Sequence, residues 1–276
     1  MPFGSLEVLD IPKLRDATML LALTGWMDGG AVSTGTVRSL MEGRTLTQIA
    51  RIAPDPFYIY NFPGGMEISA IFRPNVQLKN GLIRELEMPT STFLSDASIN
   101  LVFFVGKEPN LRWQEFSDCI FEVARQAGVT RLIFMGSFGG TVPHTREPRM
   151  FASISHKSLR PMLQAYGVRP SDYNGPASFS TFLLAEAARH DVEMLILIAE
   201  IPGYLEGVNP LSIETVSRRL AKILNLPVDL DTMRETSNAW EVQVSEAVEK
   251  DEQLAETVKK LEEAYDNDLL EDDKDL

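Results

Sequence analysis

The chain is poor in the residues that most often announce chemistry. Its 276 residues include one cysteine, Cys119, and three histidines, His144, His156 and His190. A single thiol excludes an intramolecular disulfide and a cysteine-rich metal site. The histidines show no paired spacing, so no zinc-type ligand set is written into the sequence. Neither a metal nor a cofactor is expected. No apolar run approaches the roughly 20 residues that a membrane-crossing helix needs. The opening Met-Pro-Phe-Gly-Ser-Leu-Glu-Val-Leu-Asp has neither the basic nor the apolar region of a signal peptide. The cytoplasm is the expected compartment, and no membrane partner is expected.

Positive charge is also scarce. There are 26 Lys and Arg against 39 Asp and Glu, a net charge of −13. Phosphate backbones need a basic face, so nucleic acid is not an expected partner. The imbalance is local. From Glu241 to Leu276 there are 14 acids and 4 bases, so −10 sits in the last 36 residues and −3 in the other 240. Such a segment favours solubility or meets a basic partner.

What the chain does have is an ordinary apolar content of 44%, enough for a core. The length suits one large α/β domain with an appendage, or two modest domains. Residues 17–42 set the pattern. Met19 to Leu23 is a short continuous apolar run, which reads as a strand buried on both faces. Thr-Gly-Trp-Met-Asp-Gly-Gly follows, with Gly25, Gly29 and Gly30 in six residues. Ala31, Thr34, Val37, Leu40 and Met41 then recur at helical spacing. The turn after a strand's carboxyl end is where open α/β sheets bind ligands, and a helix N-terminus favours anions. A tight turn by itself is the simpler explanation of the same glycines. The segment is neither a P-loop nor a Gly-x-Gly-x-x-Gly fingerprint.

The unit repeats. Asn100–Gly106 is a second buried strand, and Phe116, Ile120, Val123, Ala124 and Ala127 mark a helix face that Gly128 ends. Val129–Met135 is a third strand, followed by a second Gly-rich segment, residues 136–149, holding Gly139, Gly140, Pro143, His144 and Arg146. Val192–Ala199 is a fourth, after a helix over 178–190. Strands alternating with helices predict βαβ units and a mostly parallel sheet. Leu46–Ile52 and Phe57–Tyr60 read as short extended segments. Ile68–Phe72 and Gly81–Leu86 read as strands of an antiparallel meander. His156 falls on an expected helix over 155–165. Asn209-Pro210 starts a helix, and Asp229 can cap the next. Met233, Trp240, Ala247, Leu254 and Leu261 then fall seven apart, with Ser237, Val244, Asp251, Val258 and Tyr265 interleaved. A break at Lys250-Asp251 gives a helical hairpin; a single coiled-coil helix is the alternative. Residues 266–276 read as disordered.

Cys119 beside a helix face reads as a small core residue. His190 suits a helix C-terminus. Of the histidines only His144, in a Gly-rich loop, has a functional case. Gly-Ser-Phe-Gly at 136–139 lacks the spacing of a serine nucleophile elbow. If the first and third strands are neighbours, Asp28, His144 and Arg146 could meet and grip an anion. That would suit a small-molecule enzyme of nucleoside phosphorylase or hydrolase type, with Asp28 as acid/base.

Four segments together resemble a known family. They are Gly-Trp-Met-Asp-Gly-Gly-Ala at 25–31, Gly-Ser-Phe-Gly-Gly-Thr-Val-Pro-His-Thr-Arg at 136–146, Tyr-Asn-Gly-Pro-Ala-Ser at 173–178 and Ile-Pro-Gly-Tyr at 201–204. Their order and spacing resemble the bacterial branch of the proteasome assembly chaperone family, over roughly residues 5–265. The resemblance implies a three-layer phosphorylase/hydrolase-like α/β core over residues 1–208 and a helical C-terminal region over 209–276. It implies homo-oligomers, trimers or tetramers, and no established catalysis. Gly25, Trp26, Asp28, Gly29, Gly30, Pro143, His144 and Arg146 fall on the family's characteristic positions, without a catalytic role. Relatives that engage proteasome subunits directly often end in hydrophobic-Tyr-any. This chain ends Lys-Asp-Leu, so docking by that route is not expected. The leading expectation is an assembly chaperone or chaperone-like interaction protein, with Trp26 at a partner or sister subunit. The enzyme is the alternative, and a scaffold assembled through the C-terminal helices is a third.

Overall fold

A computed structural model describes residues 4–272; the terminal Lys274-Asp275-Leu276 lies outside them. Along the chain the first strands are β1 (Leu6–Val8), β2 (Ala17–Thr24), β3 (Thr47–Ile52), β4 (Asn75–Lys79), β5 (Leu82–Glu87) and β6 (Ser91–Asp96). The later ones are β7 (Leu101–Lys107), β8 (Val129–Gly140), β9 (Met150–Ile154), β10 (Arg169–Pro170) and β11 (Glu193–Pro202). The helices are α1 (Val32–Met41), α2 (Met66–Ile71), α3 (Trp113–Ala127) and α4 (Arg160–Ala165), then α5 (Phe179–Arg189), α6 (Pro210–Leu224), α7 (Leu230–Val248) and α8 (Glu252–Asp272).

Nine strands form one sheet in the order β1-β3-β6-β7-β2-β8-β11-β9-β10. Its centre, β7-β2-β8-β11, is parallel throughout, the buried arrangement expected of near-continuous apolar strands. Leu20 of β2 pairs with Phe103 on one side and Ile133 on the other. Alternate side chains then supply two cores. Met19, Leu21, Phe104 and Phe134 pack under α3 and α5, with Phe116 and Phe179. Leu20, Phe103, Ile133 and Leu197 pack under α1 and α6, with Val37, Val216 and Leu220. The result is a three-layer α/β/α arrangement with a large, centrally parallel sheet.

The helix ends follow local chemistry. Gly128 closes α3 at φ 73°, where a Cβ would strain. Ser178 accepts from the Thr181 amide at α5, Asn209 from Ser212 at α6, and Asp229 from Asp231 and Thr232 at α7. Asp251 does the same for Gln253 and Leu254, so the chain breaks at Lys250-Asp251 rather than continuing as one helix. Of the interleaved heptad positions Ser237, Val258 and Tyr265 are buried.

Six expectations need correction. Ile68–Phe72 is not a strand: α2 runs through it, started by Gly65 with Glu67 in its first turn. The hairpin that follows, β4–β5, forms its own two-stranded sheet and does not extend the main one. Phe57–Tyr60 is irregular; its apolar character reflects burial of Phe57 against Phe116, with ring centroids 4.9 Å apart. Residues 136–140 are not a loop, because β11 continues alongside and pairs Gly139 with Ile201 and Gly140 with Pro202. His156 is not helical: it precedes a single 3-10 turn and its Nδ1 meets Ser155 Oγ at 2.7 Å. Finally, residues 266–272 continue α8 instead of forming a disordered tail, and Asp266 and Asp268 are both ion-paired. Residues 273–276 lie outside the described region.

Candidate functional site

The loops after β2, β8 and β11 come together at the carboxyl edge of the parallel strands. Gly25 takes φ 143°, and a Cβ there would meet Glu108 at 2.8 Å. The Glu108 carboxylate accepts from the Trp26 amide at 3.0 Å and from the Phe179 amide at 2.9 Å, tying the first loop to the start of α5. Gly30 takes φ 62°, with Asn209 Cβ 2.8 Å from where its own Cβ would lie. The Asn209 amide donates to the Gly30 carbonyl at 2.8 Å. Ser137 Oγ donates to the Gly29 carbonyl at 2.6 Å, and the Ser137 amide to the Met27 carbonyl. These glycines therefore serve close backbone approach.

Asp28 turns inward. It accepts from the Thr34 amide at 3.0 Å and from Thr34 Oγ1 at 2.9 Å. Burial raises its carboxyl above the usual range, partly opposed by those bonds.

The second loop is equally occupied. Pro143 and His144 are buried. The His144 amide donates to Tyr204 Oη at 2.9 Å, while Nδ1 lies 2.6 Å from the same oxygen and Nε2 3.1 Å from Ser245 Oγ. Tyr204 Oη thus accepts from the amide and also meets Nδ1, while Nε2 faces Ser245. Burial lowers the His144 pKa below its ordinary 6.5, with Glu262 opposing. Arg146 holds Asp266 in a two-pronged pair at 2.8 Å and faces Glu262 at 3.7 Å. Glu200 accepts from the Thr141 and Val142 amides and pairs with Arg149 at 3.2 Å. Arg149 in turn reaches Asp268 at 2.8 Å and stacks 4.4 Å over the Tyr265 ring.

The anion grip expected of Asp28, His144 and Arg146 is therefore not assembled. The first and third strands are neighbours, yet among the described residues no hydrogen bond or ion pair joins Asp28 to either of the others. Each is spent on its own structural partner. His190 stacks on Phe121 at 4.2 Å. Cys119 is buried, and its thiol is pushed up to about 12, which suits a core residue rather than a nucleophile.

What remains open is aromatic. Trp26 is 63% exposed, Tyr173 65% and Phe138 42%. They rim a groove of about 310 Å³ whose floor includes Phe151, Ile196 and Ile198. Trp26 was legible from its place beside the glycines. Phe138 and Tyr173 lay within noticed motifs, but nothing in the sequence tied them to Trp26. Glu108 gave no signal at all. Glu200 had one: an acid inside an apolar strand.

The PAC2 family profile matches residues 22–248. The chain belongs to the PAC2 family. No curated protein matches it in sequence. Among solved structures, a Mycobacterium tuberculosis protein of unknown function superposes with a TM-score of 0.83 at 24% identity, covering 98% of this chain and 92% of that one. A proteasome-assembly chaperone homologue from the same organism gives 0.75 at 24%, covering 87% and 99%. An archaeal proteasome activator from Pyrococcus furiosus gives 0.65 at 17%, covering 90% and 99%. These likenesses establish the shared PAC2 fold.

Proposed function

We propose that this chain is a chaperone-like interaction protein of the cytoplasm that takes an apolar segment of a partner protein into the groove beside Trp26. One observation carries the reading. The polar residues of the motif loops are satisfied within the chain, whereas Trp26 beside them is exposed over an apolar groove. Large aromatics on well-held loops make interface anchors, and a groove of this size accepts one or two side chains. The descriptions of the M. tuberculosis and P. furiosus relatives support proteasome subunits as the partner class. The net charge of −13 argues against nucleic acid. On this reading the domain of residues 1–208 carries the groove, the described helices of the 209–276 region brace its loops, and the chain works as a homo-oligomer, a trimer or tetramer. No catalytic step is assigned.

The test is a native-mass determination with co-purifying proteins identified, comparing wild type with Trp26→Ala. A stable protein partner that the variant loses at least tenfold supports the proposal. Equal recovery by both proteins overturns the role of the groove.

A further inference from the structure

A cleft of about 400 Å³, outside the Gly-rich loops, gathers Arg38 of α1, Arg73 from the turn after α2 and Lys107 at the end of β7. With 39 acids to 26 bases, cations in this chain readily find carboxylates. Arg131 pairs with Glu193 at 2.6 Å, Arg125 with Glu122 at 2.7 Å and Arg218 with Glu214 at 3.0 Å. Arg38 and Lys107 depart from that habit: among the described residues neither side chain makes an ion pair or a hydrogen bond. Arg73 meets Asn61 Oδ1 at 3.5 Å. The acids nearby are already occupied. Glu87, the one acid of the lining, accepts from Asn75 at 3.2 Å. Glu108, next after Lys107, accepts from the Trp26 and Phe179 amides. Asp28 feels Arg38 only weakly: burial raises its carboxyl, bonds from Thr34 and Ser33 oppose that, and Arg38 adds least. Three cations against one acid leave the cleft with two positive charges, in a chain that carries −13.

The fold puts this cleft where open α/β sheets take ligands. β2 and β7 are parallel neighbours, and Thr24 pairs with Lys107 as the last rung of their ladder. α1 follows β2 and covers one face of the sheet, with Val37 and Leu40 in its core. α3 follows β7 and covers the other, with Phe116 and Ile120. The chain thus leaves adjacent strands toward opposite faces, which opens a crevice at their carboxyl ends. Both residues of the last rung line the cleft. The lining mixes polar and apolar groups as a small-ligand pocket does. Thr24 and Thr90 bring hydroxyls beside the cations, and Phe72, Met88 and Val105 form an apolar wall.

We infer that this cleft binds a small phosphorylated molecule, its phosphate among Arg38, Arg73 and Lys107 and its apolar body against Phe72 and Met88. A phosphate monoester carries about −1.5 to −2 at pH 7, which matches the two uncompensated charges; a single carboxylate would leave one of them unmet. Two guanidinium forks suit the oxygens of such an anion, and the lysine adds a compact charge. The site is separate from the groove beside Trp26, which other residues line. It therefore stands whether or not that groove takes a protein partner.

The experiment is isothermal titration calorimetry of the full chain at about 0.1 M salt, with phenyl phosphate, inorganic phosphate and phenol as probes. It is repeated on the double variant Arg38→Gln with Lys107→Gln, and on Lys259→Gln, an exposed cation of α8. Neither Arg38 nor Lys107 holds another side chain, so the double variant should melt within about 2 °C of wild type. The expected result is that phenyl phosphate binds wild type and Lys259→Gln alike, inorganic phosphate binds more weakly and phenol does not bind. The double variant should lose affinity for phenyl phosphate by roughly tenfold or more. No binding of either phosphate to wild type up to about 10 mM overturns the site. So does an affinity that the double variant keeps, or phenol binding as well as phenyl phosphate. Inorganic phosphate binding as tightly as phenyl phosphate supports the seat for the anion and overturns the apolar body.

Discussion

Burial pushes His144 toward its neutral form. Its Nδ1 meets Tyr204 Oη and its Nε2 meets Ser245 Oγ, so both ring nitrogens are engaged inside the fold. Its folded pKa lies below the ordinary 6.5. Below that pH the unfolded chain binds a proton that the folded ring resists, so the latch's contribution is present above about 6.5 and lost as pH falls through the folded value. Amide exchange in residues 142–147 and in the last turns of α7, corrected for intrinsic rates, should therefore rise between pH 7.5 and 5.5. The increment should be absent in His144→Gln. A flat wild-type profile would sink the latch. The sequence singled out His144 for its Gly-rich surroundings, and that was the right residue. Its partner 101 positions away was out of reach, because a contact between a loop and a distant helix leaves no local pattern.

At the scale of elements, α8 is fastened to the loop after β8 by opposite charges. Arg146 grips Asp266, Arg149 lies between Glu200 and Asp268, and Tyr265 donates to the Glu147 carbonyl. The Arg149–Glu200 pair is the deepest of these, with side chains 10% and 7% exposed. Removing one partner of such a pair costs about 3–5 kcal/mol, because the other charge stays buried. Arg149→Ala should then lower the melting temperature by on the order of 10 °C at neutral pH. A shift under 2 °C would mean that the two backbone amides at Glu200 suffice alone. The strands that the sequence hid are those where side-chain pattern is weakest. β6, Ser-Thr-Phe-Leu-Ser-Asp, buries serines beside its apolar residues. α2 and β4 alternate in ways that a period-2 reading cannot separate. By contrast α3, α5 and α6 were legible, because a polar cap or a terminal glycine fixed one end of each.

Across the whole molecule, the acidic excess is folded back on a basic loop. Asp266 and Asp268 meet Arg146 and Arg149 from the same chain, so the uneven charge of the sequence is partly cancelled by topology. The full chain should show no retention on a polyanion column at moderate salt. A chain ending at Asp251 should gain it, eluting only at distinctly higher salt, since α8 no longer screens those arginines. Identical elution of the two would show that the strap is not closed in solution. The parallel centre followed from four apolar runs and their spacing, and the three-layer order from the family resemblance. The antiparallel flanks did not, since flanking strands pair through turns whose partners are set only once the centre exists.

That centre also fixes an order of events during synthesis. β2 is the first apolar strand to be made, yet it lies between β7 and β8 and pairs with nothing earlier in the chain. Leu21 meets Phe104 on one side and Phe134 on the other. At the usual elongation rate of about 5–20 residues per second, its first neighbour arrives on the order of ten seconds after it leaves the ribosome. For that interval a strand that ends up buried at the centre of the sheet stands unpaired, so the newborn chain itself passes through a state that needs protection.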